Sequence, residues 1–269
     1  MNFNIDDAQK LLEARIDDLL RQSDRGELVC GNFLTPAEVA VARVVLQVKR
    51  AQDRVFFFGG YHDAERRRMI FIPSFLSDFD GDAEEKARTY CADEFSSCIC
   101  PLLIKGSGFR QLSHRDYLGS ILALGIERSS IGDIAIIGDF EAIVFCTDKI
   151  RDYLLTCLEK IASDKVTVRE YDLPEDFEIE KKTVPISDTV ASKRFDCIVG
   201  ALTNLSREKS QCLIHSGVCE VDYLPEMRVD RQIDEGMVIS ARGYGKFFIK
   251  AFDGETKRGR IRLLAEKYV

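Results

Sequence analysis

The 269-residue sequence predicts an α+β protein, and three observations carry that expectation. Apolar residues recur at helical spacing in some stretches and form short continuous runs in others, interleaved along the chain. The length exceeds one average domain, so two or three are expected. Hydrophobic residues make up 45 %, enough for a sizeable core. The expected parts are an N-terminal helical and hairpin segment (1–73), an α/β sandwich (74–180) and a C-terminal segment (181–269) of short helices followed by strands.

Residues 4–22 read as an amphipathic helix, with Ala8, Leu12, Ile16, Leu19 and Leu20 on one side. Thr35, Pro36 and Glu38 form a helix-start signature: a capping Thr, Pro at the first helical position and Glu three residues on. The helix that follows is expected to bury Val41, Val44, Val45 and Val48. Val55–Phe58 is then a buried strand, answered by Met69–Ile72 across a loop that ends in Arg66, Arg67 and Arg68. Such a charged tip is expected to be solvated, with RNA contact as the alternative.

The middle segment alternates further. A helix at about 83–97 leads to a strand at 101–104, a turn at Gly106-Ser107-Gly108 and a helix from Ser113 to Leu124. Strands follow near 134–137 and 142–146, then a helix at 149–161 and a strand at 166–171. This order suggests one sheet covered by helices, as in RRM-like or ferredoxin-like domains. The aromatic base-stacking signature of a working RRM is absent, so the sheet is expected to be a scaffold. Leu173 to Pro185, charged and holding two prolines, reads as a linker.

The C-terminal segment is the most informative. Phe195, Ile198, Val199 and Leu202 lie at i, i+3, i+4 and i+7, one apolar helical face. Ser206 is a good N-cap for a second helix that ends at Gly217. Arg207, Gln211 and His215, spaced by four, line one side of it, and Cys212 and Leu213 are expected to point inward. Val238 to Ile249 is expected as one strand with Arg242, Tyr244 and Lys246 alternating onto one side. The series Arg194-Phe195-Asp196, Ser206-Arg207, Leu213-Ile214, Gly217 and Val218/Val221 resembles the S4 (αL-type) RNA-binding domain. Phe195 stands where that pattern has an aliphatic residue, and Asp222 where an Asn-Gly turn is common.

Charge supports a one-ended RNA binder. The chain carries a net charge of −7, yet residues 184–269 hold 14 Lys+Arg against 12 Asp+Glu, leaving the preceding part at −9. From Arg242 onward there are eight basic and three acidic residues, including Lys257, Arg258, Arg260 and Arg262. An acidic body with a basic end suits nucleic-acid contact through that end. The candidate RNA contacts are Lys193, Arg194, Ser206, Arg207, Lys209, Ser210, Gln211, His215, Arg242, Tyr244, Lys246 and Lys250.

Other chemistries find less support. Nine cysteines, an odd number in no paired framework, read as buried thiols of a reducing compartment. Cys91, Cys98 and Cys100 lack the spacing and fourth ligand of a zinc site. The N-terminus shows no signal-peptide pattern and no run reaches the length of a membrane span, so a soluble, cytoplasmic protein without cofactor or metal is expected. His114-Arg115-Asp116 lacks the other parts of a kinase, and Lys105 to Gly108 is too short for a P-loop. Arg194-Phe195-Asp196 also resembles the Arg-Leu-Asp of pseudouridine synthases, but Asp196 lies within the S4-like helix.

The block from Ser113 through Asp116, Gly125, Arg128 and Gly132-Asp133-Ile134 resembles the hallmark of the YlmH family of S4-domain proteins. For that block, a structural role and RNA contact through Arg115 both stand open. The resemblance covers nearly the whole chain. It implies an N-terminal segment, an RRM-like middle domain and a C-terminal S4 domain. It further implies a non-enzymatic role on the large ribosomal subunit, with rRNA and tRNA as partners, in the handling of stalled subunits that still carry peptidyl-tRNA. An RNA-modifying enzyme and a cell-division partner protein are the alternatives.

Overall fold

The computed structural model describes residues 5–174, 176–179, 182–256 and 259–268. Of the features expected above, Met1 to Asn4, the Ala8 side chain, Glu175, Glu180, Lys181, Lys257 and Arg258 lie outside the described residues. The chain divides into two compact units, Met1–Ile179 and Glu180–Val269.

The first unit opens with α1 (Ile5–Ser23), β1 (Val29–Leu34), α2 (Pro36–Val48), β2 (Val55–Phe58) and β3 (Arg67–Phe71). Thr35 caps α2 in a full capping box with Glu38. The buried face of α2 is Val39, Ala42, Val45 and Leu46, whereas Val44 is exposed and Val48 is 79 % exposed. Both sets satisfy helical spacing, so the expected valine stripe (Val41, Val44, Val45, Val48) was one of two faces the period allows. β3 pairs with β2 as expected (Phe57 opposite Met69) and also with β1, giving the order β1-β3-β2. β1 carries little strand signal in the sequence, because Gly31 and Asn32 interrupt its apolar pattern.

The remainder of this unit runs α3 (Ala83–Tyr90), α4 (Ala92–Cys98), β4 (Ile99–Gly106), α5 (His114–Ala123), β5 (Ile131–Ile136), β6 (Glu141–Thr147), α6 (Asp148–Cys157), β7 (Lys160–Ile161) and β8 (Asp164–Glu170). The helix expected at 83–97 is broken at Cys91, where φ is −133° and ψ 41°. The sheet order is β5-β6-β4-β8-β7 with every pairing antiparallel. Reading β4-α5-β5-β6-α6-β8 as βαββαβ, this is the split βαβ connectivity of a ferredoxin-like layer.

The two faces of this sheet have different covers. On one, Leu102, Ile104, Val144 and Cys146 pack with Tyr117 and Ile121 of α5 and Leu154 of α6. On the other, Leu103, Ile143 and Phe145 pack with Phe33, Tyr61 and Ile70 of the N-terminal segment, and with Phe95, Leu173 and Phe177. That shared core is why residues 1–73 and 74–179 form one unit rather than two. Gly60 shows how close the approach is: its φ is +103°, and a Cβ there would sit 2.5 Å from Phe145 Cδ1.

Two sequence expectations fail in this unit and a third holds only in part. Arg68 is buried and Arg66 and Arg67 are half-buried, so the arginines at 66–68 do not form a solvated tip. Arg66 donates to Ile131 O (3.0 Å) and Phe33 O (3.2 Å), and Arg67 to Ala64 O (2.8 Å). Arg68, 2 % exposed, donates to the carbonyls of Gly31, Cys30 and Cys98, and burial lowers its pKa. The cysteines are not all thiols, since Cys30 and Cys98 form a disulfide, while Cys157 and Cys212 are exposed. Cys100 and Cys91 belong to separate clusters, so the three cysteines of the 91–100 stretch do not gather. Finally, the expected linker does contain the boundary between the units, at Ile179/Glu180, but its flanks are packed structure: Leu173, Phe177 and Ile179 join the core, and Thr183 already begins a strand.

The second unit comprises β9 (Thr183–Val190), α7 (Phe195–Thr203), α8 (Arg207–His215), β10 (Cys219–Val221), β11 (Leu224–Pro225), β12 (Val238–Ala241), β13 (Gly245–Glu255) and β14 (Ile261–Tyr268). Its sheet runs β11-β10-β12-β13-β14-β9. Pro185 is accommodated because β9 is an edge strand. Phe195, Ile198, Val199 and Leu202 of α7 are buried as expected, over a core with Ile214, Phe247, Ile249 and Leu263. Asn204 ends α7 in the left-handed region, and Ser206 caps α8 by accepting from Lys209 N (3.4 Å). Asp222 and Tyr223, with φ of 49° and 66°, make the two-residue turn without Asn-Gly. The single strand expected over Val238–Ile249 is a hairpin. Gly243 (φ 89°) and Gly245 (φ 130°) turn the chain, so Arg242 and Tyr244 sit in the turn rather than alternating along a strand.

Replacing Arg68 by Met should orphan the carbonyls of Gly31, Cys30 and Cys98 inside the unit. Urea unfolding is expected to show a loss of about 2–4 kcal/mol. A loss below about 0.5 kcal/mol would mean that water reaches those carbonyls.

Candidate nucleic-acid interface

The start of α7 is strapped to a later loop. Phe195 N donates to Arg231 O (2.8 Å), Asp196 N to Val229 O (3.0 Å) and Ile233 N to Lys193 O (2.9 Å). This places Asp196 in the first turn of α7 with 0 % exposure. Its Oδ1 accepts from Arg194 Nε (3.1 Å) and Cys197 N (3.0 Å). Its Oδ2 accepts from Gln211 Nε2 (2.8 Å), Arg194 Nη2 (3.2 Å) and Arg207 Nε (3.3 Å). Burial alone would raise the Asp196 pKa, but the bonds from Arg194, Gln211 and Arg207 outweigh it and hold the carboxyl well below the usual range. An ionised, buried carboxylate therefore orients two guanidinium groups and one amide that reach the surface from two helices.

The other sequence candidates are distributed unevenly. Ser206, Arg207, Lys209 and His215 are exposed on α8, and Gln211 is half-buried. Ser210 is fully buried: its hydroxyl donates to Ser206 O (3.0 Å) and lies where a Cβ on Gly200 would crowd it, so it packs α7 on α8 and is removed from the contact set. Cys212, expected inward, is exposed; Ile214 takes that place, because the buried side of α8 is the Ser210/Ile214 row. Lys193 lies over the Phe252 ring (4.5 Å) and Lys246 between the rings of Tyr223 and Tyr268 (4.8 Å each). Lys250 pairs with Glu266 (2.9 Å). Among the described residues no hydrogen bond or ion pair links Arg242 or Tyr244 to the Asp196 group.

Sequence reasoning missed a second carboxylate. Glu226, 6 % exposed, accepts from Arg228 N (2.9 Å), Nε (3.2 Å) and Nη2 (3.1 Å) and from Arg231 Nη1 (2.7 Å). The bonds from Arg228, with Arg231 and against the effect of burial, bring its pKa down to about 2. The run Glu226-Met227-Arg228-Val229-Asp230-Arg231 looks like an ordinary charged loop, and no periodicity singles it out. A pocket of about 390 Å³ opens beside Arg207, lined by Thr189, Asp196, Gly200, Ala201 and Arg260 among others.

The Asp196 group presents fixed donors rather than a free carboxylate. Every Asp196 oxygen is occupied by donors, so it has no free lone pair for nucleophilic attack on a base. The guanidinium groups it holds suit phosphate oxygens. In the first unit, Asp133 likewise spends its oxygens on Tyr61 OH (2.7 Å), Glu65 N (2.7 Å) and Arg66 N (3.1 Å). Ser113 and Asp116 complete a capping box. The Ser113–Ile134 block thus has structural work in this fold. Among the described residues, no group of three or more His, Cys, Asp or Glu is placed to hold a metal ion, and no helix is long and apolar enough to cross a membrane.

Comparison with known proteins agrees with the YlmH resemblance. Residues 93–175 match the family model described as a putative RNA-binding domain in YlmH. The chain is 28 % identical over 238 residues to the ribosome-associated protein quality control protein P2 of Bacillus subtilis, covering 88 % of this chain and 86 % of that protein. A solved structure, cell division protein YlmH from Streptococcus pneumoniae, aligns at 18 % identity with a TM-score of 0.45, over 66 % of this chain and 98 % of that one.

Glu226 ordinarily titrates near 4.5 and here near 2, so the folded state binds fewer protons than the unfolded chain between those values. Its contribution to stability is therefore full above about pH 4.5 and is lost as pH falls toward about 2. Unfolding titrations over that window should show a shallower loss in Glu226→Gln than in the parent. Equal slopes would mean Glu226 is not held as described.

Proposed function

We propose that this chain, similar to the YlmH family over most of its length, is a non-enzymatic RNA-binding protein of the translation machinery. Residues 181–269 are its S4-type RNA-binding domain, working in the cytoplasm on structured rRNA or tRNA of the large ribosomal subunit. The observation that carries this reading is the Asp196 group: a buried carboxylate holding Arg194, Arg207 and Gln211 in fixed orientation at the surface. The name of the Bacillus relative supports ribosome-associated quality control as the setting. The matched RNA-binding family model over 93–175 supports RNA as the partner. An RNA-modifying enzyme built on Asp196 is disfavoured by its burial and full set of donors. Within the first unit the sheet face that would otherwise stack bases is covered by Phe33, Tyr61 and Ile70, which favours contact through the C-terminal unit.

RNA affinity should then fall steeply with salt, with a log–log slope of about −0.7 to −0.9 per phosphate contact. Arg207→Ala should weaken binding to isolated large subunits while changing stability by only about 0.5–1 kcal/mol, since Arg194 and Gln211 still hold Asp196. Co-sedimentation across a salt series checks both, and it should be stronger when the subunits carry peptidyl-tRNA. Salt-independent binding, or binding unchanged by Arg207→Ala, would overturn the reading.

A further inference from the structure

Among the described residues, the Asp196 group is one of two built alike. In each, a buried carboxylate holds two arginines, one of them largely exposed: the Arg207 side chain is 67 % exposed on Asp196, and that of Arg228 71 % on Glu226. Each carboxylate neutralises one of its two arginines, so each group keeps a net positive charge. Donors also remain. Arg228 spends Nε and Nη2 on Glu226 and leaves Nη1, and Arg231 spends Nη1 and leaves Nε and Nη2. On the other carboxylate, Arg207 spends only Nε and Arg194 leaves Nη1.

The two groups are also mechanically one. The backbone bonds Phe195 N to Arg231 O, Asp196 N to Val229 O and Ile233 N to Lys193 O tie the loop carrying Arg228 and Arg231 to the helix start carrying Arg194 and Asp196. An isolated bridge pairs Arg194 with Gln232. A loop whose only task was to connect β11 to β12 would not need a buried glutamate held near pKa 2. Burying an ionised carboxylate is costly unless it is fully paired, and here the return is two guanidinium groups fixed in orientation. Asp230, exposed in the same loop, is close enough to act on Arg194 of one pair and Arg228 of the other, so it offsets part, though not all, of the positive charge of the four arginines.

We propose that Arg228 and Arg231, oriented by Glu226, form a second RNA phosphate-binding pair continuous with Arg194 and Arg207. The ligand class is polyanionic backbone, with successive phosphates of one RNA strand or facing phosphates of a duplex spanning the two pairs. This rests on the reading of the C-terminal unit as an RNA binder.

The test uses the full chain, with isolated large ribosomal subunits and a fluorescent RNA hairpin as probes, at a series of salt concentrations. Arg228→Ala is the clean variant, because Arg231 continues to pair Glu226. It is expected to weaken binding about three- to tenfold and to make the log–log salt slope shallower by about 0.7–0.9, the loss of one phosphate contact. A combined Glu226→Gln, Arg228→Gln, Arg231→Gln variant removes the group without stranding a buried charge, and its slope should be shallower by about twice that. Arg207→Ala, measured alongside, separates the two claims. If Arg207→Ala weakens binding and the Glu226-group variants keep parental affinity and slope, the second pair is overturned and the RNA-binding reading stands. If neither set changes binding, the RNA-binding reading itself fails. Should Arg228→Ala unfold, the triple variant decides by the same slope.

Discussion

A single ionised carboxylate sets the terms for the C-terminal unit. Asp196 is sealed from water and would be intolerable there without its five donors. Meeting that requirement fixes the first turn of α7 against α8, because Gln211 and Arg207 must reach across from the second helix. It also fixes what the surface looks like, since the donors that satisfy Asp196 are the ends of side chains whose remaining N–H groups face outward. Fold and interface are thus one arrangement, and the helix pair is not free to shift without releasing a buried charge. Arg68 plays the converse part in the first unit, as a buried cation answered by backbone carbonyls from β1 and α4 and, at 3.5 Å, by the Asp148 carboxylate.

How much of this the sequence disclosed depended on whether the signal was local. α2 was legible from Thr35, Pro36 and Glu38, because a capping box is written within four residues. The apolar face of α7 was legible from one heptad, and the βαββαβ order from the alternation of periods. The face of α2 was not, since two valine-bearing stripes fit the same period and only the neighbour decides between them. The fate of Arg66–Arg68 was illegible for a different reason. A charged triplet beside a loop looks solvated, and its carbonyl partners at Gly31, Cys30, Phe33 and Ile131 lie far away in sequence. The Cys30–Cys98 pairing shares that long-range character.

The candidate interface divides the same way. Arg207 and Gln211 came from a spacing pattern and Arg194 from the S4 resemblance, and the structure adds the carboxylate that organises them. Ser210 stood among the candidate contacts but is buried, and sequence position alone does not tell which side of a short helix faces the neighbour. Glu226, Arg228 and Arg231 carried no pattern at all. Only burial distinguishes a carboxylate that builds a surface from one that decorates it.

The pairing of β9 with β14 has a consequence in time. Residues 183–190, at the entrance to the second unit, take as their partner residues 261–268, so the strand made first must wait for nearly the whole unit to be synthesised. Until then β9 offers an unpaired edge, and α7, which packs beside it, lacks part of its floor. Long-range closure of this kind is slow relative to local helix formation. A nascent copy therefore passes through a stage in which α7 and α8 can form while the sheet beneath them is still open. The surface built on Asp196 reaches its final rigidity only once the β14 segment has been delivered.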